Sequence, residues 1–264
     1  CSDSLVGLII DQPTALSTSI VDNDIICSGD STGSIDLTVS GGTIPYNFDW
    51  STGGFPISSI EDPVALGAGI YDLIVTDSNN CIVSAQATIN EPDSLLLAGS
   101  SINSTCGNAN GEVSVSVSGG TIALDYSYSW FDISGGYPGS LVGTTATTNS
   151  LSAGAYQVLV SDDNGCSDSL VVSLSDDNGP TLTYLATNIL CFGSSNGSID
   201  LTVLGANPFS FNWIGPSPFT NPGTEDISSL DAGTYTVIVT DDNGCISTEV
   251  IDLDGPSGAI QMLG

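Results

Sequence analysis

Gly33-Ser34-Ile35-Asp36-Leu37-Thr38-Val39-Ser40 puts Ile35, Leu37 and Val39 on one side of an extended chain and Ser34, Asp36 and Thr38 on the other. That alternation is the period of a β-strand with one buried face. The stretch recurs at residues 111–118 and 197–204, where Val113, Val115, Val117 and Ile199, Leu201, Val203 hold the apolar phase. A later strand repeats the period through Tyr71, Leu73 and Val75, again through Tyr156, Val158 and Val160, and again through Tyr235, Val237 and Val239. No stretch carries a convincing 3.6-residue period, so the chain reads as all-β.

Working outward, each copy has the same frame. It runs from a Cys-x-Gly such as Cys27-Ser-Gly29, through the strand above and Pro45-Tyr46-x-Phe48-x-Trp50, to Leu66-x-Ala-Gly-x-Tyr71 and Asp77-x-Asn79-x-Cys81. The frame returns from Cys106 to Cys166 and from Cys191 to Cys245. Corresponding cysteines lie 79 or 85 residues apart, the size of a small sandwich and too long for a solenoid turn. Trp50, Trp130 and Trp213 fall where an immunoglobulin-like fold buries a tryptophan on its third strand, and Tyr71, Tyr156 and Tyr235 fall at its tyrosine corner. Asn79-Asn80, Asn164-Gly165 and Asn243-Gly244 read as the hairpin turns before the last strand. The expected fold is a series of immunoglobulin-like β-sandwich domains arranged head to tail. Short proline-bearing links divide it into residues 1–13 (the last strand of a preceding repeat), 14–92, 93–179, 180–256, and 257–264 (the start of a following one).

Composition narrows the function. There is no Lys, Arg or His, against 30 Asp and Glu, giving a formal charge of −30. This removes the imidazole proton shuttle, lysine covalent chemistry and every cationic clamp for phosphate, so neither a nucleic-acid partner nor an enzyme is expected, and no catalytic or cofactor-binding residue is assigned. With 40% hydrophobic residues and its acids scattered through turns, the chain is expected to fold rather than behave as a charged coil. No apolar run reaches the length of a membrane span, and no leader pattern opens the sequence, which reads as a soluble, mature or internal segment.

Cys27, Cys81, Cys106, Cys166, Cys191 and Cys245, with Cys1, indicate disulfides in an oxidising compartment. Two pairings stand open. Within one repeat Cys27 would join Cys81, Cys106 would join Cys166, and Cys191 would join Cys245; an eight-residue strand, however, sets the two ends roughly 25 Å apart, and a disulfide tolerates only about 4.4–6.8 Å between Cα atoms. Between neighbouring repeats, Cys27 would join Cys166 and Cys106 would join Cys245.

Asp77, Asp162 and Asp241 share one repeat position. With Asp163, Asp242, Glu91, Asp93, Asp176 and Asp177 they form a candidate calcium set near the junctions, calcium being the one cofactor that suits such oxygens. The same aspartates before Asn-Gly also suit plain Asx turns. Ile74, Leu159 and Ile238 lie out of phase with the core and offer a stripe for lateral self-association or for cover by a neighbouring segment. Phe55, Phe131, Tyr137 and Phe219 offer platforms for polysaccharide or simple local packing.

Taken together, Cys-x-Gly, Gly-Ser-Ile-Asp-Leu-Thr-Val-Ser-Gly-Gly-Thr, Pro-Tyr-x-Phe-x-Trp, Leu-x-Ala-Gly-x-Tyr and Asp-x-Asn-Gly-Cys resemble the SprB-type repeats of giant surface adhesins in gliding Bacteroidota, over nearly all of residues 14–256. The second copy departs from the pattern, with Ala123-Leu-Asp-Tyr126 in place of Pro-Tyr and about six extra residues. The resemblance implies export by the type IX system, an extracellular cell-surface location, and a role in adhesion or gliding as a structural stalk whose first partners are neighbouring repeats. It also implies O-glycans at Asp-Ser sites, which here are Ser4, Ser31, Ser94 and Ser169.

Overall fold

The computed structural model describes residues 12–256, and every regular element among them is a strand. The first series comprises β1 (Ser17–Asn23), β2 (Gly33–Ser40), β3 (Asn47–Thr52), β4 (Phe55–Ser58), β5 (Val64–Leu66), β6 (Gly69–Thr76) and β7 (Ile82–Ile89). They form two sheets, β1-β2-β5 and β4-β3-β6-β7. This is the two-sheet arrangement of an immunoglobulin-like sandwich. Strand β2 alternates as read from sequence, with Ile35 and Leu37 buried and Asp36 and Thr38 exposed. The core between the sheets gathers Ile25, Ile35, Leu37, Trp50, Tyr71, Leu73, Val75 and Ile89.

The second series is β8 (Leu96–Ile102), β9 (Ser104–Thr105), β10 (Gly111–Ser118), β11 (Ser127–Asp132), β12 (Ser140–Gly143), β13 (Thr147–Leu151), β14 (Gly154–Ser161), β15 (Ser167–Leu174) and β16 (Asp176–Asp177). Its sheets are β13-β10-β8 and β12-β11-β14-β15, with a short parallel pair of β16 and β9. The third is β17 (Thr181–Thr187), β18 (Gly197–Leu204), β19 (Ser210–Ile214), β20 (Ile227–Leu230), β21 (Gly233–Thr240) and β22 (Ile246–Leu253), in sheets β17-β18-β20 and β19-β21-β22. Here the counterpart of β4 is missing. Pro216, Pro218 and Pro222 occupy the segment after β19 and withdraw the N–H donors that an added ladder would need. The third core repeats the first: Ile199, Leu201, Trp213, Tyr235, Val237, Val239 and Ile251.

By compactness the described chain divides into two units. One takes the residues up to Leu97 with Val117–Ser127 and Leu159–Ser169; the other takes Ala98–Ser116, Tyr128–Val158 and the residues from Leu170 onward. The middle series is thus shared between them, one set of its turns belonging with the first repeat.

The aromatic anchors carry their polar ends as burial requires. Each buried tryptophan donates its indole N–H to a loop carbonyl, Trp50 to Ile60, Trp130 to Thr145 and Trp213 to Thr224. Each corner tyrosine donates its hydroxyl four residues back, Tyr71 to the Gly67 carbonyl, Tyr156 to Ser152 and Tyr235 to Asp231. Strand β2 has one more support: Asp62 accepts from the Leu37 amide, and Asp226 does the same for Leu201.

Candidate functional site

The candidate site is the turn between the last two strands of each repeat, with the cysteine that follows it. In the first repeat, Asp77 Oδ1 accepts from the amides of Asn79 and Cys81, both at 2.8 Å, and Oδ2 accepts from Thr43 at 2.9 Å. The Asn80 amide returns to the Asp77 carbonyl, and Asn80 itself sits at φ 61°, a left-handed position filled by Gly165 and Gly244 in the other repeats. A type I turn closed by a left-handed residue is a standard three-residue hairpin loop. Burial pushes the Asp77 carboxyl up, but the amides of Cys81, Thr43 and Asn79 outweigh that and hold it below the ordinary aspartate range. Asp162 repeats the set on Asn164, Cys166 and Thr121.

Asp241 does not repeat it fully. Its Oδ1 accepts from Cys245 at 2.8 Å, but its buried Oδ2 has no partner among the described residues. The preceding turn explains this: Ser40-Gly-Gly-Thr43 is replaced by Leu204-Gly-Ala206, one residue shorter, so no amide is delivered where those of Thr43 and Thr121 stand. In the first two repeats that turn is pinned by close backbone approach. A Cβ on Gly41 would lie 2.0 Å from the Ala15 carbonyl oxygen, and one on Gly119 would lie 2.0 Å from that of Ser94, both at positive φ.

The carboxylates of the calcium expectation lie in these turns and in the links between repeats. Among the described residues no three of the candidate carboxylates converge on a common point. Several of them accept from N–H and O–H donors of the chain: Asp163 takes the Ala123 and Leu124 amides, Glu91 that of Gly29, Asp176 the Ser104 hydroxyl and the Gly107 amide, and Asp177 the Asn103 side chain. Asp93 serves through its carbonyl, which accepts from Gly120, and Asp242 through its amide, which donates to Ala206. The residues are spread along links and turns rather than focused on one point.

The cysteines are brought together across the repeat boundary. Cys27 is bonded to Cys166 and Cys106 to Cys245, with Cα separations of 5.5 and 5.2 Å and a sequence separation of 139 in each case. The within-repeat pairing is not adopted. Cys81 and Cys191, expected among the bonded cysteines, are exposed free thiols. Cys1 lies outside the described residues.

Each staple is seated in polar contacts. The Asn164 side chain donates to the Ile26 carbonyl at 3.3 Å, beside Cys27. The Cys106 amide donates to the Asp177 carbonyl at 3.1 Å. Just before each first cysteine, Ile25, Ser104 and Ile189 donate to Asn90, Ser175 and Asp254 on the exit link of the same repeat. These link residues were missed in sequence, although Asp24 with Asn90 and Asn188 with Asp254 show the signal: the acid and the amide trade places between repeats while the hydrogen bond is kept.

Of the remaining candidates, Ser31, Ser94 and Ser169 are exposed, while Ser4 lies outside the described residues. Phe219 packs edge-on against Tyr235, with ring centroids 5.3 Å apart, and is a core-lining residue rather than a platform. Phe131 is half-buried, whereas Phe55 and Tyr137 are 76% and 83% exposed. Ile74 and Leu159 are exposed and Ile238 is half-buried.

The SprB repeat family profile matches residues 19–55, 98–135 and 183–217, one stretch in each series. No curated protein matches the chain. Among solved structures, the three N-terminal domains of the bacteriophage RB49 Highly Immunogenic Outer Capsid protein are similar at 13% identity, covering 94% of this chain and 100% of that one, with a TM-score of 0.44. Titin domains I67–I69, in an E-to-A mutated variant, are similar at 14% identity, covering 91% and 97%, with a TM-score of 0.40. Murine CEACAM1b is similar at 15% identity, covering 60% and 99%, with a TM-score of 0.26. Each of the three series of strands opens on one of the stretches that match the SprB repeat profile, and each is built as an immunoglobulin-like sandwich.

Proposed function

We propose that these repeats form a load-bearing stalk segment of a long extracellular surface adhesin or filament, serving adhesion or gliding. The observation that carries this reading is the bonding of each repeat to the next through Cys27 with Cys166 and Cys106 with Cys245. A disulfide within one domain protects that domain; one that reaches the next also carries tension past the peptide link. The absence of Lys and Arg leaves no site for trypsin-like proteases, and disulfides persist outside the cytoplasm, both of which suit an exposed surface location reached by type IX export. Ser31, Ser94 and Ser169 are exposed enough to carry O-glycans. The reading assigns the chain no catalytic step.

Pulling on single molecules tests it. With both staples intact, the shortest covalent path from Gln12 to Pro256 runs through Cys27, Cys166, Cys106 and Cys245. It spans roughly 86 residues rather than 244, so full extension should reach about 300 Å oxidised and about 850 Å reduced. Equal extension in the two states would remove the load-bearing role.

Phe55, opening β4, and Tyr137, in the loop after β11, are both exposed and favour a second reading as a polysaccharide-binding array. Retention of the chain on a glycan array, lost in Phe55→Ala and Tyr137→Ala, would select that function; no retention would dismiss it.

A further inference from the structure

We propose that Cys81 and Cys191 are the open halves of further staples, and that each takes as its partner another repeat of this type through the complementary cysteine. The inference rests on the repeat reading and not on the stalk role. Cys191 occupies the repeat position of Cys27 and Cys106, whereas Cys81 occupies that of Cys166 and Cys245. Both bonded pairs obey one rule: a cysteine of the first position joins one of the second position in the following repeat, 139 residues on. Under that rule Cys191 calls for the second-position cysteine of a repeat placed after it, and Cys81 for the first-position cysteine of a repeat placed before it.

The free thiols already sit in the frames that hold the bonded ones. The Cys81 amide is fixed by Asp77 Oδ1 at 2.8 Å, as Cys166 is by Asp162 at 2.9 Å and Cys245 by Asp241 at 2.8 Å. The Cys191 carbonyl accepts from Ser194 at 3.1 Å, as that of Cys27 accepts from Asp30 at 3.1 Å. Ile189 donates to Asp254 at 2.9 Å, as Ile25 donates to Asn90 at the same distance. A second observation points to a missing neighbour. Leu190 and Phe192, flanking Cys191, are 76% and 60% exposed, beside a concavity lined by Ile189, Ala232 and Pro256. At the matching place in the first repeat, Cys27, Ser28 and Pro92 form one wall of a groove whose other wall is Asp162, Gly165 and Cys166.

The bond forms by thiol–disulfide exchange with a disulfide oxidant. The Cys191 thiolate attacks oxidised glutathione and expels one glutathione thiolate. The Cys81 thiolate of the partner repeat then attacks the Cys191 sulfur of that mixed disulfide and expels the second. Two thiols lose two protons and two electrons, and one oxidised glutathione becomes two reduced molecules.

Two arms test it. In the first, residues 14–256 are joined a second time after Pro256, the chain is oxidised with glutathione, free thiols are alkylated, and the product is cleaved before aspartate and mapped without reduction. The peptide of Cys191 should be recovered linked to that of Cys81 in the second copy, in yield equal to the Cys27 to Cys166 link of the same molecule. In the second arm, the 264-residue chain and its Cys191→Ser variant are oxidised at high concentration. Disulfide-linked oligomers through Cys81 and Cys191 should form only in the former. The first arm reports a partner in the same polypeptide and the second a partner in another copy. A link in either supports the proposal, and alkylated Cys191 and Cys81 in both overturn it.

Discussion

Asp162→Asn and Asp241→Asn make the same chemical change at the same repeat position and should have different consequences. In Asp162, Oδ1 serves two amides at 3.0 and 2.9 Å, and Oδ2 serves the Thr121 amide at 2.8 Å. An asparagine keeping its oxygen on the first pair turns its NH2 toward the Thr121 N–H, donor against donor. Flipping the amide is worse, since two donors are then opposed. The loss is one charge-assisted hydrogen bond at a part-buried amide, about 1.5–3 kcal/mol. At Asp241 the Oδ2 oxygen has no partner, so an NH2 there forfeits nothing, and the Cys245 amide keeps its acceptor. Amide hydrogen exchange read by mass spectrometry separates the two. The Thr121 amide should exchange about 10- to 150-fold faster in Asp162→Asn, whereas Cys245 should stay within about threefold of its original rate in Asp241→Asn. Equal acceleration in both, or a larger one in Asp241→Asn, would refute the account of these aspartates as organisers of the hairpin turn.

Other outcomes follow from the same contacts. Tyr71→Phe and Tyr156→Phe should each lose about 1 kcal/mol in denaturant unfolding, and Tyr235→Phe less, because its bond to Asp231 is 3.1 Å long against 2.8 and 2.7 Å. Cys106→Ser, opening a 139-residue ring, should lower stability by up to about 5 kcal/mol, a ceiling because the remaining ring overlaps the one removed; an unchanged midpoint would contradict a formed staple. The sequence has no histidine, so no imidazole contributes to the pH dependence of stability. Asp77, Asp132 and Asp163 are held below the ordinary aspartate value in the folded state, so their contribution is present above that value and should disappear as pH falls through their lowered ones. Melting curves from pH 7 to 2 check this, and a midpoint rising with acid would contradict it.

Much of this architecture is written in side-chain period and in two aromatic positions. Ile35, Leu37 and Val39 against Asp36 and Thr38 prescribe which face of β2 is buried, and Trp50 and Tyr71 anchor the third and sixth strands. The missing strand in the third repeat was legible too, in Pro216, Pro218 and Pro222, but only once the sheet edge they fail to join was known. The roles of the carboxylates were legible only in part, through the Asx-turn reading of Asp77 and Asp162. Asp77 presents the same composition to a reader whether its oxygens meet calcium or amides, and one of its three donors, the Thr43 amide, comes from far off in sequence. Asp62 and Asp226 did leave a trace, a Glu-Asp pair recurring at residues 61–62 and 225–226; in the second repeat the Ala146 carbonyl takes over that task for Val115. The disulfides needed strand direction as well as spacing. The within-repeat pairing spans 54 or 60 residues and the between-repeat pairing 139, both regular along the chain, and the fold decides by placing Cys27 beside the hairpin turn of the next repeat.

The most direct test maps the disulfides of the oxidised chain itself, by alkylating its free thiols and cleaving before aspartate without reduction. In the monomer fraction the account expects peptides joined through Cys27 with Cys166 and through Cys106 with Cys245, and alkylated Cys81 and Cys191. Recovery of Cys27 bonded to Cys81, or of Cys106 bonded to Cys166, would contradict it.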